Sequence, residues 1–179
     1  MADDKNAIEV LKALARLDLH GWRGLSQHTL LDHARQVFDI DDEWCGSSML
    51  GTDRRQTYWF TVTCDGFPEG LRIWTSGNEV ILLDASSPDL PGGLDALLTA
   101  LGSPQAQLDS YLGTLRIENS EWVFPERGIT VFVNPDNHLL LRIAVYRPSK
   151  LSEYEQSLRL DLKKTRLPPL MHSIEKESP

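Results

Sequence analysis

Leu50-Gly51-Thr52-Asp53-Arg54 returns as Leu112-Gly113-Thr114-Leu115-Arg116, and Phe67-Pro68-Glu69-Gly70 returns as Phe124-Pro125-Glu126-Arg127-Gly128. Each Leu-Gly-Thr is followed, seven or eight residues on, by a tryptophan: Trp59, then Trp122. Two motifs recurring in one order point to an internal duplication, which constrains an architecture more tightly than local propensity does. Laid end to end, the copies have a period of about 60 residues. The first has a longer opening strand, and the second has one extra residue in its Phe-Pro-Glu motif.

Working outward, each copy reads as a helix, a loop and three strands. In the first, Leu30, Leu31, Ala34, Val37 and Phe38 fall at helical spacing over Thr29 to Phe38, capped by Ser26. Tyr58 to Thr63 is β-branched and aromatic, and Asp65-Gly66 is a turn signal. Leu71–Thr75 and Glu79–Asp84 then form a hairpin across Ser76-Gly77-Asn78. In the second copy, Leu94, Leu97, Leu98 and Leu101 mark a helix that stops at Gly102-Ser103-Pro104. Trp122 to Phe124 is a short strand, and Gly128–Val133 with His138–Tyr146 is a hairpin around Asn134-Pro135-Asp136-Asn137. Ser86-Ser87-Pro88 to Pro91-Gly92-Gly93 separates the copies. A helix from about Lys5 to Leu17, capped by Asp3 or Asp4, precedes them. A last helix follows Pro148, with Ser152 and Glu155 as a capping box and Tyr154, Leu158 and Leu162 on one face.

The divisions are thus residues 1–25 (N-terminal helix and turn), 26–88 (repeat one), 89–148 (repeat two) and 149–179 (C-terminal helix and tail), all in one domain. The fold class this predicts is α+β. The two tandem helix-plus-three-strand repeats form one antiparallel sheet, helices pack on one face, and N- and C-terminal helices flank it.

A chain of 179 residues with 41% hydrophobic side chains can bury a core without disulfides or metal. Its two cysteines, Cys45 and Cys64, have no zinc or redox spacing and read as small, reduced, partly buried side chains. Met-Ala-Asp-Asp-Lys lacks the basic and apolar regions of a signal peptide, and no run approaches the roughly 20 apolar residues of a membrane span. A cytoplasmic protein of bacterial style is expected, with no membrane partner. Net charge is −8, which argues against binding nucleic acid through its phosphates. Between Cys45 and Tyr146 there are twelve acidic and six basic residues, all six of them Arg, and lysine is absent between Lys12 and Lys150. Either Arg codon usage or an arginine-bearing recognition surface accounts for that pattern.

The candidate chemistry is sparse. His28 and Asp32 can share a helix face, but His33 splays away and no third ligand is evident, so no metal site is expected. Asp39, Asp41, Asp42 and Glu43 form an acidic loop without the alternating ligands, central Gly or closing Glu of a calcium loop, and would suit a basic partner. Glu69 and Glu126 are repeat-equivalent carboxylates, which more readily mark a shared turn than acid–base chemistry. There is no phosphate loop, no nucleophile elbow and no nucleophile with an evident base, and no cofactor is expected. The sheet offers more. Alternation turns Leu71, Ile73 and Thr75, and Ile129, Val131 and Val133, toward the core, leaving Arg72, Trp74, Thr130 and Phe132, with Arg142 and Tyr146, on the opposite face. Trp, Tyr and Arg dominate binding hot spots, so that face is a candidate partner surface, unless the final helix covers it as a second core layer. Alternation places Trp59 opposite Phe60 but groups Trp122 with Phe124.

A helix closing at Gly102-Ser103-Pro104, a strand bearing Trp122 and a hairpin to Tyr146 resembles the repeating unit of the β-lactamase-inhibitor-protein type, and, as a single unit, the BamE-like outer-membrane assembly lipoproteins. Residues 26–85 share the likeness more loosely. The resemblance implies helices on one side of a sheet and a protein partner gripped by the other; it assigns no individual binding residue. Together these features predict a non-catalytic protein-binding module, an acidic bacterial protein of the immunity or inhibitor kind that occludes a basic toxin or enzyme. An adaptor or chaperone of a secretion system or macromolecular complex comes second. A small-ligand binder or enzyme using a cleft between the repeats comes third.

Overall fold

Pairing between neighbouring segments, more than propensity, decides how much of this chain is strand. The computed structural model describes residues 45–160, apart from 65–66, 78, 91 and 113–114. Its strands are β1 (Cys45–Leu50), β2 (Arg55–Cys64), β3 (Phe67–Ser76), β4 (Glu79–Ser86), β5 (Ala106–Leu112), β6 (Leu115–Phe124), β7 (Ile129–Asn134) and β8 (Leu139–Tyr146). They form one eight-stranded antiparallel sheet in the order β1-β2-β3-β4-β8-β7-β6-β5. Two four-stranded meanders therefore lie end to end and join where β4 pairs with β8, with Leu82 opposite Tyr146, Asp84 opposite Ala144 and Ser86 opposite Arg142.

The helix expected before the second meander is present as α1 (Gly93–Leu101). Its Leu94, Leu97 and Leu101 are buried, and the Gly102 N–H donates to the Leu98 carbonyl where the chain leaves the helix. After β8 a short helical turn, Leu151–Glu153, widens into a π-helical turn, Tyr154–Leu158. Lys150, not Ser152, holds the N-cap position, and no side chain caps it. Tyr154 and Leu158 are buried as their spacing implied.

Alternation along the strands splits the apolar residues into two layers. Phe60, Phe67, Leu71, Ile73, Leu83, Phe124, Ile129, Val131, Val133, Ile143 and Val145 pack with the α1 leucines. Leu50, Trp74, Leu82, Val123, Phe132, Ala144 and Tyr146 pack on the other side with Tyr154, Leu158 and Leu160. The expected fold class is corrected here. Among the described residues the chain is dominated by a single sheet with few short helices, and these lie on opposite faces, not on one. Each expected unit of a helix and three strands is a four-stranded meander. The strands that were missed, β1 and β5, are both sheet edges. Cys-Gly-Ser-Ser-Met-Leu and Ala-Gln-Leu-Asp-Ser-Tyr-Leu carry little β-propensity and become strands by hydrogen-bonding to β2 and β6. The expected helices at 5–17 and 29–38 lie outside the described residues.

The repeated motifs sit at corresponding places in the two meanders. Leu50 and Leu112 end the first strand of each; Phe67-Pro68-Glu69 opens β3, whereas Phe124 ends β6 and Pro125-Glu126 begins the turn into β7. In the first meander the Leu-Gly-Thr turn is also a dock. The N–H groups of Gly51, Thr52 and Asp53 donate to the carbonyls of Arg159, Glu155 and Gln156 at 2.9–3.0 Å, and a side chain at Gly51 would collide with the Gln156 backbone. The tryptophans do not correspond. Trp59 lies opposite Trp74, whereas the residue opposite the equivalent Phe132 is Glu121, so Trp59 and Trp122 occupy different faces.

Gly128 ends the Pro125–Arg127 turn at φ 67°, and its carbonyl accepts from the Tyr146 N–H. A Cβ there would overlap the Tyr146 carbonyl oxygen. Gly128→Ala should therefore cost about 3 kcal/mol or more. Gly77→Ala, at φ 59° with open space around it, should cost only about 1–2 kcal/mol. Urea-denaturation midpoints of the two variants check this, and equal losses would show that the backbone at Gly128 relaxes freely.

Candidate functional site

The six residues expected to form a partner-binding face do lie on one face, but most of them are interior. Trp74, Thr130, Phe132 and Tyr146 are each no more than 5% exposed. The Arg142 side chain is 13% exposed and only that of Arg72, at 35%, reaches solvent substantially. The second core layer accounts for this. Tyr154 stacks on Tyr146 with ring centroids 5.1 Å apart, and Leu158 and Leu160 join the same cluster.

Two buried carboxylates organise that face. Asp84, opposite Ala144 at the seam, accepts a hydrogen bond from the Trp74 indole N–H, another from Arg142 Nε at 2.7 Å, and has Arg72 Nη1 at 3.9 Å. Arg142 also lies over the Phe132 ring, 5.6 Å from its centroid. Glu121, fully buried in β6, accepts from the Tyr154 hydroxyl at 2.8 Å and from Arg159 Nε at 3.0 and 3.1 Å. Arg159 Nη2 reaches Glu121 at 3.0 Å and the Asp109 carbonyl at 2.6 Å. Burial opposes the charge on Arg159, yet Glu121 more than offsets it and raises the guanidinium pKa. Burial likewise pushes the Tyr146 and Tyr154 phenols well above their usual value, with the Glu121 charge adding to it. Asp84 ties β4 to β3 and β8, and Glu121 locks the C-terminal segment to the sheet; both arrangements are structural.

The first meander leaves an accessible group at the β1 end. The Trp59 ring lies across Gly46 of β1, so closely that a Cβ at Gly46 would strike it. The Arg72 guanidinium stacks 4.9 Å from the Trp59 ring centroid and 6.0 Å from that of Trp74. On the other face of the same strands Tyr58 is 55% exposed and Met49 45%. They are diagonal neighbours in the β1–β2 register, because Met49 pairs with Gln56 and Ser47 with Tyr58. The sequence reasoning named Arg72 and left Trp59 unplaced. Tyr58, Met49 and Gly46 were missed because β1 itself was not recognised.

A recess of about 150 Å³ opens at the opposite end, lined among others by Gln107, Asn119, Trp122, Asn134 and His138. It belongs to the second meander alone and is not a cleft between the two. Glu69 accepts from the Ser87 hydroxyl at 3.2 Å, and Glu126 is exposed in the Pro125–Arg127 turn; nothing joins the two carboxylates. No group of three or more His, Cys, Asp or Glu suited to a metal occurs among the described residues. His28, Asp32 and His33, the acidic loop Asp39, Asp41, Asp42 and Glu43, and the Cys45 and Cys64 side chains lie outside what the structure describes. No described helix is long and apolar enough to cross a membrane.

Among the described residues β1 pairs with β2 alone, and the recess lies in the second meander. No protein-family model matches the chain, and neither a curated protein nor a solved structure does. The free second sheet face implied by the likeness to the β-lactamase-inhibitor type is, in this chain, largely occupied by its own C-terminal segment.

Arg159→Met should destabilise the fold by about 3 kcal/mol, near the low end for breaking a buried pair because the guanidinium keeps 13% exposure. Tyr154→Phe should cost about 1–2 kcal/mol. Both tyrosines ionise more readily unfolded than folded, so stability they contribute is complete below the free-phenol value of 10.0 and falls as pH rises above it. Denaturant midpoints measured across alkaline pH should decline there, and less steeply in Tyr154→Phe.

Proposed function

We propose that this chain is a non-catalytic protein-binding module of the acidic immunity or inhibitor kind, and that it takes hold of a basic protein partner through the β1 end of its sheet. The observation that carries this reading is the character of that edge. Sheet edges are commonly guarded against pairing by charge, proline or a bulge. β5 carries Asp109 and a register break between Leu108 and Ser110. β1, Cys-Gly-Ser-Ser-Met-Leu, has no charge, no proline and an unbroken register with β2.

Hot-spot residue types flank that unguarded strand: Tyr58 and Met49 on one side, Trp59 and Arg72 on the other. A partner strand added to β1 would gain main-chain hydrogen bonds, with side-chain selectivity from both faces. The net charge of −8 would steer a basic partner toward the encounter. The acidic stretch Asp39 to Glu43 precedes β1 directly in sequence and would add to that field. Trp74, Thr130, Phe132 and Tyr146, being interior, are left out of the proposed surface.

The test is affinity capture from the host lysate at low and high salt, using the wild type, Tyr58→Ala and Ser47→Lys. Ser47 is exposed on β1, and a lysine there should change stability by less than about 0.5 kcal/mol. One stoichiometric basic protein should be retained at low salt. It should be lost in both variants, and kept by Leu139→Ser, which alters an exposed residue of another hairpin. The measured association rate should fall as salt rises. Several weakly held clients would favour an adaptor, and capture unaffected by Ser47→Lys would rule out the β1 edge.

A further inference from the structure

The recess in the second meander is lined by Trp122 and by side-chain amides and an imidazole from β5, β6 and the β7–β8 hairpin. Gln107 on β5 stands directly across from Trp122 on β6, so both side chains leave the same face of the sheet. The Trp122 indole N–H donates to the Asn119 carbonyl at 2.8 Å, which fixes the ring, and one side of it packs against the α1-side core. Asn134 and His138 approach from the β7–β8 hairpin. Asn119 and His138 both hold a left-handed backbone, φ 50° and 54°, a conformation unusual for residues other than glycine.

Three features define what would fit. First, the lining has one broad aromatic platform, the Trp122 indole, with the smaller His138 imidazole as its other ring. Second, no acidic side chain, lysine or arginine lines the recess, so nothing there matches a charged ligand. Third, the polar groups are three carboxamides and an imidazole, each able to donate and to accept. The Gln107, Asn119 and His138 side chains have no hydrogen-bond partner among the described residues, and Asn134 uses only its oxygen, accepting from the Asp136 N–H at 3.0 Å. Hydroxyl groups are the ligand groups that also donate and accept at one atom. We propose that this recess binds a neutral pyranose ring, its C–H face on Trp122 and its hydroxyls hydrogen-bonded by Gln107, Asn119, Asn134 and His138. The recess has a volume of about 150 Å³. This site is separate from the β1 end and does not depend on that reading.

The test is an NMR titration of the full chain, following the side-chain amide signals of Gln107 and Asn119 and the Trp122 indole N–H. The probes are the methyl pyranosides of glucose, galactose and N-acetylglucosamine, with adenosine and benzoate as planar and charged comparators. At least one pyranoside should shift all three signals, with a Kd of about 1–10 mM. Gln107→Ala, an exposed edge-strand change, should weaken it about threefold to tenfold, and His138→Gly should do the same. Trp122→Ala should abolish binding, and the Gln107 and His138 variants keep the test valid if that variant fails to fold. Corresponding trisaccharides distinguish the source. Tighter binding than the monosaccharide points to a glycan chain, and equal binding to a free sugar. The absence of shifts with every pyranoside, unchanged affinity in both polar variants, or preferential binding of adenosine or benzoate would each overturn the proposal.

Discussion

A carboxylate buried where the two meanders meet sets the terms for the rest of this molecule. Asp84 is 2% exposed. A charge removed from water to that degree costs several kcal/mol unless its oxygens are paired and hydrogen-bonded. The partners it gathers are the Trp74 indole N–H and the guanidinium groups of Arg142 and Arg72, drawn from β3 and β8 on either side of β4. One side chain thus ties the last strand of the first meander to both neighbours at the junction on which the continuous sheet depends. The same pairing removes Trp74 and most of Arg142 from any outward role. What looks like a recognition surface in a list of residues is here the means of neutralising one acid.

The two meanders share a topology and differ in chemistry at matching positions. Opposite Trp74 in the first is Trp59, a ring lying over Gly46; opposite Phe132 in the second is Glu121. The ring leaves its end of the face partly open, with Arg72 stacked on it. The carboxylate demands partners, and the C-terminal segment supplies them as Tyr154 and Arg159. That segment is anchored at its other contact by the Leu-Gly-Thr turn of the first meander, where Gly51 permits close backbone approach. The repeated motif therefore has a use in the first copy that its sequence does not announce, and the segment spans the seam, binding one meander through main chain and the other through side chains.

Much of this was legible in the sequence. Helix α1 showed leucines at helical spacing and a Gly-x-Pro stop, and the β3–β4 and β7–β8 hairpins showed alternation on either side of strong turn residues. The inward residues Leu71, Ile73, Ile129, Val131 and Val133 were assigned correctly because an apolar-only layer follows simple period-two alternation. The second layer was legible only as an alternative to a partner surface, with the final helix covering that face, and there is a physical reason that the sequence did not decide between them. Arg72, Thr130 and Arg142 are polar by type and read equally well as an exposed partner face. Only the strand registers show that Arg142 and Arg72 converge on Asp84 and that Thr130 meets the Tyr146 hydroxyl. The edge strands were hidden by composition, and with β1 unseen, the role of Gly46 beneath Trp59 could not be inferred.

The two sheet edges follow from the same division. β5 ends the meander that holds Glu121, and it is secured from several directions. Arg159 reaches the Asp109 carbonyl, and Arg116 pairs with the Asp109 carboxylate, whose pKa is lowered first by the Asn119 N–H and then by Arg116. Ser110 and Ser120 are hydrogen-bonded beneath it at 2.6 Å. Such an edge is charged, kinked and already engaged, which disfavours a further strand. β1 ends the meander whose corresponding position is an aromatic ring over a glycine. A ring stacked on backbone contributes packing, and the one cation it engages among the described residues, Arg72, comes from β3. The exchange of a buried acid for an indole at one register position thus bears on the adjacent edge strand: β5 is held by Arg159 at the Asp109 carbonyl, whereas β1 has the Trp59 ring across Gly46.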